Sequence, residues 1–229
     1  MSAPVDTPPP ARSVLVWLWA VYGMIVAMVL VGGITRLTGS GLSMVEWRPL
    51  MGALPPLSEA EWQQLFADYQ RSPQFEQVNH WMGLGDFKRI FFWEYVHRLF
   101  GRLIGVVFIV PWLWLAARKK LRGALLWRTA LAFVLGGLQG LLGWYMVESG
   151  LSQRTDVSQY RLTGHLALAL AIYGYMLWTA LTLLRPAAPP LPGRAARRLR
   201  RRLLAATSVA GLAILVGGLV AGLDAGFIY

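Results

Sequence analysis

Five stretches of this chain stay apolar for about 20 residues or more, long enough at 1.5 Å per residue to cross a bilayer as helices. They run from Val14 to Thr35, Arg89 to Ala117, Ala124 to Val147, Tyr160 to Leu184 and Leu203 to Leu223. Of 229 residues, 56% are hydrophobic and 14% charged, a balance outside that of soluble domains. The sequence therefore predicts an all-α polytopic membrane protein. Its expected layout is a four-helix transmembrane bundle over residues 14–184 and a further transmembrane helix within 203–229.

The segments between the spans carry the polar residues. Residues 1–13, MSAPVDTPPPARS, lack the features of a signal peptide or transit sequence and read as a disordered cytoplasmic tail. Residues 37–88 form an acidic polar loop too long for a plain spacer, which suggests a lid or a partner surface. Within it Ser58 and Glu61 have capping-box spacing, and Trp62, Leu65, Phe66 and Tyr69 recur at helical intervals, predicting an amphipathic helix. His80 in the same loop reads as a solvated side chain. A short polar link, Glu148 to Gln159, joins the third and fourth spans, and residues 185–202 form an arginine-rich loop without an acid.

Charge gives an orientation. The net charge of +11 is concentrated after the second span, at Arg118, Lys119, Lys120, Arg122 and Arg128, and in the 185–202 loop. By the positive-inside rule both basic segments and the N-terminus are cytoplasmic, so the 37–88 loop lies on the outer, periplasmic side of a bacterial inner membrane. Basic residues placed this way report topology and contact with the lipid bilayer, not nucleic-acid binding. The absence of cysteine excludes disulfides, thiolate metal sites and cysteine nucleophiles. Three histidines remain as nitrogen ligands.

The second span departs from plain hydrophobicity. Phe91 to Gly105, FFWEYVHRLFGRLIG, carries Glu94, His97, Arg98 and Arg102, and ionisable groups at membrane depth need a partner or a use. On a helix Glu94, His97 and Gly101 share a face, so a carboxyl and an imidazole look the same way above a residue without a side chain. That leaves a flat patch for a planar group or another helix backbone. His165 opens the fourth span with Ala169 one turn below it. Measured from the outer ends of their spans, His97 lies roughly 12 Å and His165 roughly 8 Å along, which puts both imidazoles in the outer part of the membrane. Such a pair suits a flat macrocycle held on both faces by imidazole nitrogens, or two helix-bridging histidines in a polar network.

Other features are more open. Arg36, Arg98, Arg102 and Arg161 cluster toward the outer ends of the first, second and fourth spans, where guanidinium groups suit carboxylates or snorkel to headgroups. Gly136 and Gly140 have the small-xxx-small spacing of close helix contacts, which leaves room for a homo-oligomer. Gln139 between them needs a hydrogen-bond partner. Trp17, Trp112, Trp127, Trp144 and Trp178 read as interface anchors. Val31–Gly32–Gly33 recurs as Val216–Gly217–Gly218, a weak sign of internal duplication.

Four ordered motifs carry a family resemblance. GGITRLTGSGLSMVEWRPLMGALPPL (Gly32 to Leu57), FKRIFFWEYVHRLFGRLIG (Phe87 to Gly105), GGLQGLLGWYMVESGL (Gly136 to Leu151) and VSQYRLTGHLALAL (Val157 to Leu170) together resemble heme A synthase. The likeness is to its alphaproteobacterial and mitochondrial branch, whose first outer loop lacks a cysteine pair. It implies an eight-helix oxidoreductase of two similar halves that oxidises a ring methyl of heme O to a formyl group, with a water-derived oxygen, to make heme A for cytochrome oxidase. It implies that Glu94, His97 and His165 are functional, catalytic residues, with the two histidines holding heme iron; Glu94 one turn before His97 then reads as a proton handler or as a structural bridge to Arg98, and Arg36, Arg98, Arg102 and Arg161 as partners for heme propionates or headgroups. It also implies heme b as cofactor, heme O as substrate, and a heme O synthase and cytochrome oxidase assembly factors as partners. The sequence departs from the family in having no second histidine pair, because it stops where a second half would begin; the expectation is a fragment. The alternative is a membrane b-type heme carrier or assembly subunit that uses the same histidines without catalysis.

Overall fold

The computed structural model describes residues 11–46, 54–151, 155–184 and 193–225. Most of the expected tail, residues 1–10, lies outside the described residues, as does 185–192 of the arginine-rich loop. Among the described residues there is no strand. Five helices are long and apolar enough to cross a membrane, so the chain is a polytopic all-α membrane protein: α1 (Arg12–Leu37), α3 (Leu84–Ala117), α4 (Gly123–Leu151), α5 (Gln159–Leu184) and α6 (Arg194–Gly222). Between α1 and α3 lie α2 (Glu59–Gln70) and a π-helical turn, Phe75–Asn79.

The predicted amphipathic helix is α2, and its capping box is complete. The Ser58 hydroxyl accepts from the Glu61 N–H at 3.2 Å, while the Glu61 carboxylate accepts from the Ser58 N–H. Phe66 and Tyr69 are buried against Phe87, Ile90 and Phe91 of α3, so the helix lies on the bundle. Tyr69 also donates to Gln74 and accepts from Asn79 at 2.7 Å, which ties the π-helical turn to α2. Burial pushes the Tyr69 phenol above its ordinary pKa.

Two helices begin earlier than hydropathy predicts. α3 starts at Leu84 because the Asp86 carboxylate accepts from the Gly83 N–H at 3.2 Å, capping the helix before its apolar part. α6 starts at Arg194, so the part of the arginine-rich segment from 194 to 202 is helix and not loop. Arginine and alanine are strong helix formers, and extending a span that is already helical costs far less than nucleating one.

Around the bundle, α1 and α4 each pack on both α3 and α5, so α3 and α5 face one another across it; α6 packs on the outside of α5. One apolar core, with Trp17, Leu18, Val21, Phe108, Leu115, Ile172 and Met176, fills the half of the bundle nearest the N-terminus of α1. Two of the expected tryptophan anchors are internal ties. Pro111 cannot donate to the Val107 carbonyl, and the Trp17 indole supplies that bond instead, at 3.1 Å. The Trp112 indole donates to Thr129 on α4 at 2.9 Å.

The closest helix contact is not at Gly136 and Gly140, whose Cα positions have open space around them. It is where α6 crosses α5: a Cβ on Gly222 would stand 2.6 Å from the Gln159 Cα, and one on Gly218 3.2 Å from Thr163 and Leu166. Backbones approach here because neither glycine presents a side chain.

Candidate functional site

The two histidines come from α3 and α5, which face one another across the bundle. Each ring rests on a glycine of a neighbouring helix. His97 lies against Gly32 of α1, with Cε1 3.5 Å from where a Cβ would stand. His165 lies against Gly143 of α4, where the corresponding gap is 3.0 Å to Cε1 and 3.5 Å to Nδ1. Neither seat was legible in the sequence. Gly32 belongs to the VGG pair that the sequence offers as a repeat, and Gly143 to a glycine-rich run whose facing side periodicity does not choose.

The small residues below the histidines behave differently from expectation. Gly101, one turn from His97, is met by the Met28 side chain, whose Cε is 3.4 Å from a built Cβ; the patch is filled from α1. On α5, Gln139 of α4 donates to the His165 backbone carbonyl at 3.1 Å, fixing the height of that helix turn against its neighbour. The Gln139 Oε1 and the His165 Nδ1 are buried without a hydrogen-bond partner among the described residues. A buried imidazole nitrogen without a partner costs free energy unless something else uses its lone pair or proton.

Glu94 sits one turn from His97 and is 3% exposed. It accepts from the Ser43 hydroxyl at 2.7 Å and the Met44 N–H at 2.8 Å, and it pairs with Arg98. Arg98 in turn donates to the Met44 carbonyl at 3.0 Å and the Glu46 carbonyl at 3.4 Å. The carboxylate and guanidinium together pin residues 43–46, just beyond α1, onto α3 beside the histidine. Three donors thus converge on this carboxylate: the Ser43 hydroxyl, the Met44 N–H and the Arg98 guanidinium.

The remaining arginines are spread over the same end of the bundle. Arg36 pairs with Asp224 at 2.6 Å, reaches Asp156 at 3.7 Å and donates to the Ala221 carbonyl, which joins the ends of α1 and α6 to the segment before α5. Asp224, at φ 50°, turns the chain just after α6 to face it. Arg161 lies over the Tyr145 ring, 4.6 Å from its centroid, and donates to that hydroxyl at 3.3 Å. Arg102 follows Arg98 by one turn and is half-buried. The structure thus gives Arg36, Arg98 and Arg161 protein partners of their own. His80 is exposed, away from this cluster.

A metal bound only by protein side chains has no home here, since no group of three or more His, Cys, Asp or Glu converges among the described residues. Two imidazoles on facing helices, one with a partnerless buried nitrogen, instead fit an iron that brings four nitrogens of its own in a planar ring.

Sequence comparisons agree with this chemistry. The chain matches the COX15-CtaA family, described as cytochrome oxidase assembly protein, over residues 15–229. It is 51% identical over 218 residues to the heme A synthase of Rhodospirillum centenum, covering 95% of this chain and 58% of that protein. It is 49% identical over 226 residues to the heme A synthase of Granulibacter bethesdensis, covering 97% and 60%. With that of Azorhizobium caulinodans it shares 54% identity over 224 residues, covering 98% and 63%. The chain therefore spans about three fifths of the length of these curated relatives. No solved structure matches it.

Proposed function

The chain belongs to the COX15-CtaA family of cytochrome oxidase assembly proteins, and from that premise we propose that it forms the heme-holding bundle of a heme A synthase. The activity is oxidation of a ring methyl of heme O to a formyl group. The observation that carries the reading is the pair of glycine-seated imidazoles on facing helices, one with a buried nitrogen that no protein group satisfies.

In this reading His97 and His165 would hold the heme iron, and their helices are held in register by contacts that do not use the rings. Thr35 spans from α1 to the Trp93 carbonyl of α3 at 3.3 Å, and Gln139 spans from α4 to α5. A bound heme supplies the iron and the planar ring on which electrons move. The glycine seats limit how far each imidazole leans toward its neighbouring helix. Glu94 acts first by position: as a carboxylate held by Ser43, Met44 and Arg98, it keeps the outer loop closed over His97. A proton-handling role for Glu94 requires that Arg98 let go of it during turnover. Arg36, Arg98, Arg102 and Arg161, on release of their present partners, would receive the propionates.

The site lies at the end of the bundle opposite the basic segments, so positive-inside orientation puts it on the periplasmic face with the N-terminus in the cytoplasm. The reaction places the protein after a heme O synthase and before cytochrome oxidase assembly. Pigment analysis of membranes that contain the protein and are supplied with heme O tests the assignment. Heme A should appear, and it should be absent with His97→Ala or His165→Ala. A fixed heme b with no conversion in the unaltered protein would mark it instead as a heme carrier.

A further inference from the structure

The end of the bundle away from the histidines carries two basic clusters, and the fold treats them differently. The cluster between α3 and α4 is satisfied from within the protein. Arg118 and Lys120 lie over the Trp114 ring at 5.6 and 4.8 Å, Lys120 also donates to Ser13, and Arg128 lies over Trp178 at 4.7 Å. The cluster that opens α6 is not. Arg194, Arg197, Arg198, Arg201 and Arg202 fall at i, i+3, i+4, i+7 and i+8, a single face of the helix, and line one cleft of about 290 Å³. Among the described residues no acidic or aromatic side chain joins them there, and all five are exposed.

Five guanidinium groups facing one another repel, and they begin a helix, where the macrodipole is already positive. Only an anion makes this arrangement favourable. Its position selects the anion: the apolar part of α6 begins at Leu203, directly after Arg202, so the arginine face lies at headgroup level along the axis of a membrane-spanning helix. We propose that this face is a binding site for anionic phospholipid, with the guanidinium forks closing on the phosphodiester of the headgroup. A topology signal alone would not need the arginines on one face, and Arg200, which points elsewhere, shows that the segment is not uniformly basic around the helix.

The test uses the whole chain in a neutral detergent, with bound lipid counted by native mass spectrometry after adding phosphatidylglycerol or phosphatidylcholine at equal amounts. The unaltered chain should retain phosphatidylglycerol preferentially, and retention should fall as salt is raised. Arg197→Gln/Arg198→Gln/Arg201→Gln should lower phosphatidylglycerol retention by roughly tenfold or more, since each basic residue near an anionic surface contributes separately. The same three positions changed to lysine should keep most of the binding and control for folding. Arg118→Gln/Lys119→Gln/Lys120→Gln should leave it nearly unchanged. Equal retention of the two lipids by the unaltered chain, or a glutamine variant that binds as before, overturns the proposal. Displacement of the lipid by millimolar inorganic phosphate overturns it as well, in favour of a soluble-anion site.

Discussion

The two histidines look alike in the sequence and are seated differently in the fold. His97 stands on a helix clamped beside it: Glu94 and Arg98 bind the chain at residues 43–46, and the ring lies 3.5 Å from where a Gly32 Cβ would stand. His165 has no such clamp among the described residues. Its ring leaves only 3.0 Å to where a Gly143 Cβ would stand, and its helix is tied through a backbone carbonyl to Gln139. One imidazole is thus positioned by polar contacts around it and the other by steric fit, and the two should fail in different ways.

The largest expected effect is common to both seats. Replacing either His97 or His165 by alanine should abolish the bis-imidazole heme absorption spectrum, and a variant that keeps that spectrum would show the ring to be no ligand. The clamp comes next. Glu94→Ala leaves Arg98 and the loop donors without their acceptor, and should cost roughly 3 kcal/mol or more of stability, read as a lowered thermal midpoint. Glu94→Gln keeps the shape but loses the ion pair. It should retain heme while protease cuts the 43–46 segment faster, and an unchanged cleavage rate would remove the clamp from the comparison.

The steric seat gives the third contrast. Gly143→Ala should cost about 1–3 kcal/mol and shift the heme spectrum, because the Cβ must displace the ring. Gly32→Ala should do so by less than half as much; equal effects would mean that the seats are equivalent after all. The smallest effect is expected at Gln139. Changing it to leucine removes one hydrogen bond to His165 but also an oxygen buried without a partner, so stability should move by under about 1 kcal/mol. A larger loss would show that Gln139 holds the His165 turn in place.

Much of this protein was visible before any coordinates. The five spans follow from apolar length alone, and the α2 cap follows from the Ser58–Glu61 spacing, because both are local: each depends on residues within a turn or two. The sequence set His97 and His165 at similar depth on two helices running the same way. The glycines were not. Gly136 and Gly140 have the spacing of a helix contact and face open space, whereas Gly218 and Gly222 make the close crossing. Spacing marks where a helix is thin, but only the packing shows which thin side meets another chain.

The sequence by itself determined that this chain lives in a membrane, how many described helices cross it, and which two imidazoles are at hand, because the cost of placing polar groups in lipid is settled residue by residue. The tertiary structure decided what each charged or small residue is for. Arg36 is claimed by Asp224, Glu94 by Ser43 and Met44, and Gly101 by Met28. Those partners lie on other helices or up to 188 residues away, and no local pattern encodes a contact that forms only when the helices come together.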